Sequence, residues 1–182
     1  MQSNVFNQSY ISLIKDVMDR RRHVRQLLLK AAQARARDAL TLKRKGHETN
    51  LVAPFSPSPR AVIDAVWTKL EAAQMALLPT ELLVDLGCGD GRWLISGVNR
   101  FKCHALGIEV DPQLVTRANK VVQMHPLKDQ IEVKVGDIML ADISSAKLVI
   151  VYAFASSLGG IAHRLKEQLN MNALVLSMGV RA

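Results

Sequence analysis

Between Val84 and Arg92 the chain reads Val-Asp-Leu-Gly-Cys-Gly-Asp-Gly-Arg, three alternate glycines interleaved with acids directly after a short apolar run. Glycine reaches backbone angles that other residues avoid, and it carries no Cβ to hold a ligand away from the main chain. The spacing speaks against a dinucleotide. A pyrophosphate-binding fingerprint is G-x-G-x-x-G, and here the third glycine, Gly91, arrives one position early. Asp85 and Asp90 would also repel phosphate, whereas a cationic ligand with an ammonium and a sulfonium suits them. Further along, Glu109 ends a second apolar run, where a carboxylate can accept hydrogen bonds from both hydroxyls of a ribose. Gly136-Asp137-Ile138 ends a third run and places another acid where the exocyclic amine of an adenine could donate. Tyr152 and Phe154 are the candidates to line a pocket for an acceptor, the tyrosine hydroxyl accepting a hydrogen bond. As aromatics on an apolar strand they read equally well as core. Cys88 and Cys103 form neither a disulfide framework nor a four-ligand zinc site, and a reducing compartment follows as the default. His104, His125 and His163 lack metal-ligand spacing, so no metal is expected.

Such residues need a scaffold, and the pattern beyond Pro79 supplies one. Strand-like runs at Leu82–Leu86, Ala105–Val110, Ile131–Val135, Leu148–Phe154 and Ala173–Met178 alternate with amphipathic segments at Trp93–Asn99, Pro112–Met124 and Ile161–Leu169. Strands spaced by crossover helices predict an α/β domain with a doubly wound parallel sheet, whose ligands bind beyond the carboxyl ends of the strands. Ser58 is a candidate N-cap, with Pro59 opening a helix that carries Val62, Ile63, Val66, Leu70 and Ala73 on one face. Three segments follow: a basic helical arm over 1–47, a proline-containing linker over 48–58 and the α/β domain over 59–182.

Charge separates the arm from the domain. Of the net +8, all belongs to residues 1–47, which hold eleven Lys or Arg against three acids, while the remainder balances. From Ser9 to Thr41 the arm lacks Gly and Pro, and Tyr10, Ile14, Val17, Val24, Leu28 and Ala31 draw an apolar stripe with basic flanks, one helix or two broken near Arg20–Arg22. Its readings are a helix packed on its own domain, a mitochondrial presequence weakened by Asp16 and Asp19, or, through residues 15–45, docking on RNA or another anionic surface. The longest uncharged stretch, Leu148 to His163, contains Ser156, Ser157, Gly159 and Gly160 and is too short for a bilayer span, so no transmembrane segment is expected.

With the glycine loop, the ribose acid and the adenine acid in this order at three strand ends, the chain resembles the class I S-adenosylmethionine-dependent methyltransferases. More narrowly it is similar to the small mitochondrial and bacterial protein-lysine methyltransferases that act on the adenine nucleotide translocase and the ATP synthase c-subunit. The resemblance spans about Pro54 to Ser177. It rests on Pro54-Phe55-Ser56-Pro57-Ser58, on Val84 to Arg92, on Gly107-Ile108-Glu109-Val110-Asp111-Pro112, and on Val135-Gly136-Asp137 with the strand ending at Tyr152. It implies a Rossmann-like methyltransferase sheet and S-adenosylmethionine as cofactor. Asp85, Gly87, Gly89 and Asp90 would contact its methionine part within the loop that also holds Cys88 and Gly91. Glu109 would take the ribose, and Asp137, with Ile138 beside it, the adenine. The acceptor it implies is a protein lysine, in a mitochondrial or otherwise cytoplasmic setting.

Two departures open an alternative. Relatives usually carry Tyr-x-x-Pro after the fourth strand, where this chain has Tyr152-Ala153-Phe154-Ala155, and they continue past the fifth strand into a hairpin. The sheet is therefore expected to be truncated after that strand, leaving 173–178 as an edge for a partner subunit to cover. The alternative is a catalytically inactive methyltransferase-fold subunit or assembly factor, held by its basic arm in a large complex such as a mitochondrial ribonucleoprotein.

Overall fold

The computed structural model describes Phe55 and residues 57–180. The basic arm, with its helix, presequence and RNA-docking readings, lies outside the described residues.

Helix α1 spans Arg60–Ala72 and leads to strand β1, Leu82–Leu86. There follow α2 (Arg92–Phe101), β2 (His104–Glu109), α3 (Pro112–Gln123), a single 3₁₀ turn at Lys128–Gln130 and β3 (Ile131–Val135). The chain then crosses to β4 (Ala146–Phe154), α4 (Ala155–Gln168) and β5 (Leu174–Val180). The five strands form one parallel sheet in the order β3-β2-β1-β4-β5, the doubly wound arrangement expected. Strand order reverses between β1 and β4, and the carboxyl ends of those strands border the crevice where such sheets take their ligands.

Both faces of the sheet are covered, which is why its strands are near-continuous apolar runs. On β1 and β4, Leu83, Leu148 and Ile150 point to the face holding α1, α2 and α3, with Ile63, Trp67, Trp93, Leu94, Val98, Phe101, Val115 and Ala118. Val84, Leu86, Val149 and Val151 point to the other face, against Ile161 and Leu165 of α4 and Ile138 and Ile143 of the β3–β4 loop.

Three sequence expectations change. Ser58 does not cap α1. Pro59 stands at that position without a side-chain cap, and the Ser58 hydroxyl instead accepts from Trp93 Nε1 at 3.0 Å. Ile63, Val66 and Leu70 of α1 face the core as expected, but Val62, at 43% exposure, and Ala73 turn outward, and Trp67 completes the buried face. Trp67 lies edge-on to both Trp93 and Phe101, ring centroids 5.1 and 5.4 Å away, and its Nε1 donates to Ser96 at 2.9 Å. Helix α4 begins at Ala155, not Ile161, so Ser156, Ser157, Gly159 and Gly160 lie within the helix.

Close packing of β2 against α2 makes Gly107 irreplaceable. A Cβ there would lie 2.6 Å from both Cys88 Sγ and Leu94 Cδ1. Gly107→Val is expected to destabilise the fold by about 1–3 kcal/mol through overpacking. At Gly160, exposed on α4, the nearest atom to a Cβ, Met139 Cε, is 4.0 Å away, and Gly160→Ala is expected to stabilise by about 0.5–1 kcal/mol. Urea midpoints moving in opposite directions at unchanged slope would bear this out, and a Gly107→Val midpoint equal to wild type would refute it.

Candidate functional site

The loop after β1 is hooked onto the neighbouring strand: the backbone N–H groups of Gly87 and Cys88 both donate to the Ile108 carbonyl, at 2.8 and 3.1 Å. Gly87, Gly89 and Gly91 have φ of 85°, 55° and 76°, left-handed values that exclude most side chains. Sequence spacing assigns all three to ligand approach, but the structure divides their roles. A Cβ at Gly87 would meet nothing within 4 Å, so this glycine borders open space. One at Gly89 would strike the Phe55 ring at 2.5 Å, and one at Gly91 would touch Ala118 at 3.4 Å while Gly91 opens α2.

Three acids surround this loop, and their states differ. Asp85, 3% exposed, has a buried Oδ2 with no hydrogen-bond partner. Burial, and then the charges of Glu109 and Asp90, push its carboxyl up to about 8. The Cys88 thiol beside it is driven far above its ordinary value by burial and the same acids, so it stays protonated. Glu109 is also buried, and its carboxylate bridges the site: Oε2 accepts from Gly89 N at 2.9 Å and Oε1 from Asp111 N at 3.0 Å. A carboxylate offers about four lone-pair positions, so both oxygens can still accept a hydroxyl.

Asp90 is otherwise engaged. Arg92 Nε donates to its Oδ1 at 2.9 Å and Nη2 to its Oδ2 at 2.6 Å. Burial opposes ionisation of Asp90, but the Arg92 hydrogen bonds and charge prevail and hold its carboxyl below the usual range. Part of the negative charge that sequence assigns to the ligand is thus neutralised within the loop. Arg92 Nη1 also donates to the Ser58 carbonyl at 2.8 Å, so Arg92, Trp93 and Phe55 latch the segment ahead of α1 onto the glycine loop.

Register places the remaining residues. Glu109 pairs with Val135, so Gly136-Asp137 projects one step beyond it, and Gly136 N donates to the Glu109 carbonyl at 3.0 Å. Asp137 Oδ1 accepts from Met139 N at 2.8 Å. Ile138 is buried in the core face covered by α4, and its carbonyl accepts from Arg164. On β4, Val151 pairs with Leu86, the last residue of β1, so Tyr152 and Phe154 run past β1 and pair with Met178 and Val180 of β5. Tyr152 is half-buried and belongs to neither apolar cluster. His125 ties a turn, with Nε2 2.9 Å from Asn99 Oδ1 and Nδ1 accepting from Leu127 N. Among the described residues no helix is long and apolar enough to cross a membrane.

The site fits S-adenosylmethionine. An orphaned buried carboxyl oxygen on Asp85 suits its ammonium, Gly87 leaves space beside the main chain, and Glu109 is held at the end of β2 by two backbone N–H groups. These strand ends and this loop define a class I S-adenosylmethionine-dependent methyltransferase. A family model described as the ANTKMT methyltransferase domain matches residues 85–179, and the chain belongs to that family. A protein-lysine N-methyltransferase of Saccharolobus islandicus is 25% identical over 125 residues, 68% of this chain and 74% of that protein. A ribosomal protein L11 methyltransferase of Alkaliphilus oremlandii is 29% identical over 96 residues, 53% of this chain and 31% of its own length. The crystal structure of an RNA methyltransferase from Salinibacter ruber in complex with S-adenosyl-L-homocysteine superposes with a TM-score of 0.61 and 36% identity, covering 67% of this chain and 76% of that one. These relationships favour the enzyme over the non-catalytic subunit.

Two features of the site escape the sequence reading. Phe55 reaches the glycine loop from a segment ahead of α1; a glycine that needs room and an aromatic in the preceding proline segment were the available signals. Arg164, a basic residue on α4, carries no local signal at all.

Proposed function

We propose that the protein methylates a lysine side chain of a protein substrate. The observation that carries this reading is the family match over residues 85–179, supported by the relationship to a protein-lysine N-methyltransferase over 68% of this chain. When bound, S-adenosylmethionine supplies a methyl group on a sulfonium, open to in-line displacement by a neutral amine. Asp85 and Gly87 would hold its methionine part and Glu109 its ribose, aligning the methyl group for an amine that enters the site. A lysine must arrive without its proton, and burial beside a half-buried aromatic favours that neutral form. Tyr152, beyond the end of β1, is the residue we assign to accept a hydrogen bond from it. A mitochondrial setting, and an anionic partner for residues 15–45, belong to this proposal through the resemblance and the charge of the arm.

The test uses the full chain, S-adenosylmethionine labelled in its methyl group, a library of lysine-containing peptides and, separately, total RNA. Label on peptide lysine, lost when that lysine is replaced by arginine, is the expected result. Label on RNA and none on peptide would overturn the proposal. Tyr152→Phe is expected to lower turnover on the labelled peptide by about 3- to 10-fold, the worth of one hydrogen bond of about 0.5–1.5 kcal/mol. Unchanged turnover would remove Tyr152 from the acceptor pocket.

A further inference from the structure

Arg164 is an arginine buried to 8% exposure whose hydrogen bonds go mainly to backbone. Its Nη1 donates to the Ile138 carbonyl, and its Nη2 donates to the Ala141 carbonyl and, at 3.0 Å, to Gln168 Oε1 one turn further along α4. Its Nε is buried without a partner. Desolvating a guanidinium is costly, and a side chain that only filled space between helix and sheet would be apolar. Arg164 instead spends two donors on one short stretch of loop.

That stretch follows β3 and is a tight turn. Met139 N donates to Asp137 Oδ1, and the N–H groups of Leu140 and Ala141 donate to the Asp137 carbonyl at 3.0 and 3.2 Å. The turn therefore closes on Asp137 through its N–H groups, while its Ile138 and Ala141 carbonyls are clamped by Arg164. A planar fork of fixed donors can hold two carbonyls at one separation, which a lysine cannot do. Burial lowers the Arg164 pKa, and the charges of Asp137 and then Asp142 only partly offset it.

We propose that Arg164 is a positioning residue for the base of the cofactor: through the carbonyls of Ile138 and Ala141 it fixes the turn that presents Asp137 to the adenine amine. This rests on the assignment of Asp137 to adenine. Arg164 itself touches no cofactor atom in this scheme. Its action is on selectivity between an amine, which donates to a carboxylate, and a carbonyl, which cannot.

The experiment compares binding of S-adenosylhomocysteine with that of its deaminated counterpart, S-inosylhomocysteine, by calorimetry on the full chain. Wild type is expected to prefer the adenosyl form by about 10- to 100-fold. Asp137→Asn should collapse or invert the ratio, since an amide can donate to the inosine carbonyl. Arg164→Met should lower the ratio severalfold toward unity, and Arg164→Lys should fall between. A structural role alone would lower thermal stability and leave the ratio at the wild-type value; that result with Arg164→Met, beside a collapsed ratio in Asp137→Asn, overturns the proposal by itself. An unchanged ratio in Asp137→Asn overturns the assignment of Asp137, and the proposal with it. Should Arg164→Met not fold, Gln168→Ala, which frees one donor of the clamp from an exposed position, must shift the ratio in the same direction or the proposal falls.

Discussion

Asp85→Asn is expected to weaken S-adenosylmethionine roughly 30- to 150-fold, about 2–3 kcal/mol for a charge-assisted hydrogen bond lost in a buried site. The same change should remove a pH dependence of folding. With its carboxyl pushed up to about 8, the folded protein keeps the Asp85 proton where the unfolded chain, near the ordinary aspartate value, has released it. Between about pH 4 and 8 the folded state thus binds up to one proton more, and stability falls as pH rises, by at most about 1.4 kcal/mol per pH unit. Urea titrations of the cofactor-free protein across this range should show that fall in wild type and a slope smaller by up to one proton in Asp85→Asn. Identical slopes would mean that Asp85 is ionised in the folded protein. Cofactor binding should also release the proton, because an ammonium beside Asp85 favours its charged form. The binding heat of wild type should then vary with the ionisation enthalpy of the buffer, and that of Asp85→Asn should not.

Glu109→Ala is expected to act on cofactor and fold together. Losing a charged acceptor for two ribose hydroxyls should weaken S-adenosylmethionine by about 1.5–3 kcal/mol. The substitution also strips Gly89 N and Asp111 N of their acceptor, and the buried one of these should lower stability by about 1–3 kcal/mol without any cofactor present. Glu109→Gln separates the effects: its amide oxygen can keep one backbone partner, so stability should recover in part while affinity stays low. Thermal melts without cofactor, set beside calorimetric titrations, read the two quantities. A Glu109→Ala protein that binds S-adenosylmethionine as wild type does would move the ribose elsewhere.

The sheet was legible because its residues announce it. Leu82–Leu86 and Ile131–Val135 are short runs bounded by turn formers, and the acids at their ends fall where the register of a parallel sheet needs them. What a linear reading cannot weigh is competition for a side chain. Ser58 before Pro59 has the form of a cap, yet its hydroxyl goes to Trp93 on another helix. Asp90 counts as a charge for the ligand until Arg92, two residues later, turns back on it. Trp67 stands four positions after Ile63 and completes the buried face of α1, a size effect that a tally of aliphatic residues passes over. Arg164 lay furthest from reach, because its partners are main-chain oxygens that every loop possesses.

The strand order also bears on how the molecule assembles. β1 is the centre of the sheet, and its partners come from very different distances along the chain: Asp85 faces Gly107 on one side and Ile150 on the other. The β1–β2–β3 half can close early from nearby pieces, but the far side of β1 stays open until β4 is in place. Asp85 and Gly107 lie 22 positions apart and Asp85 and Ile150 lie 65 apart, and contacts between more distant segments cost more entropy to form, so pairing of β4 is expected to follow that half. While it waits, the partly built sheet presents the unpaired edge of its most apolar strand, the stage at which the chain is most exposed to self-association. On a ribosome that interval lasts at least until the charge-free stretch beginning at Leu148 has emerged.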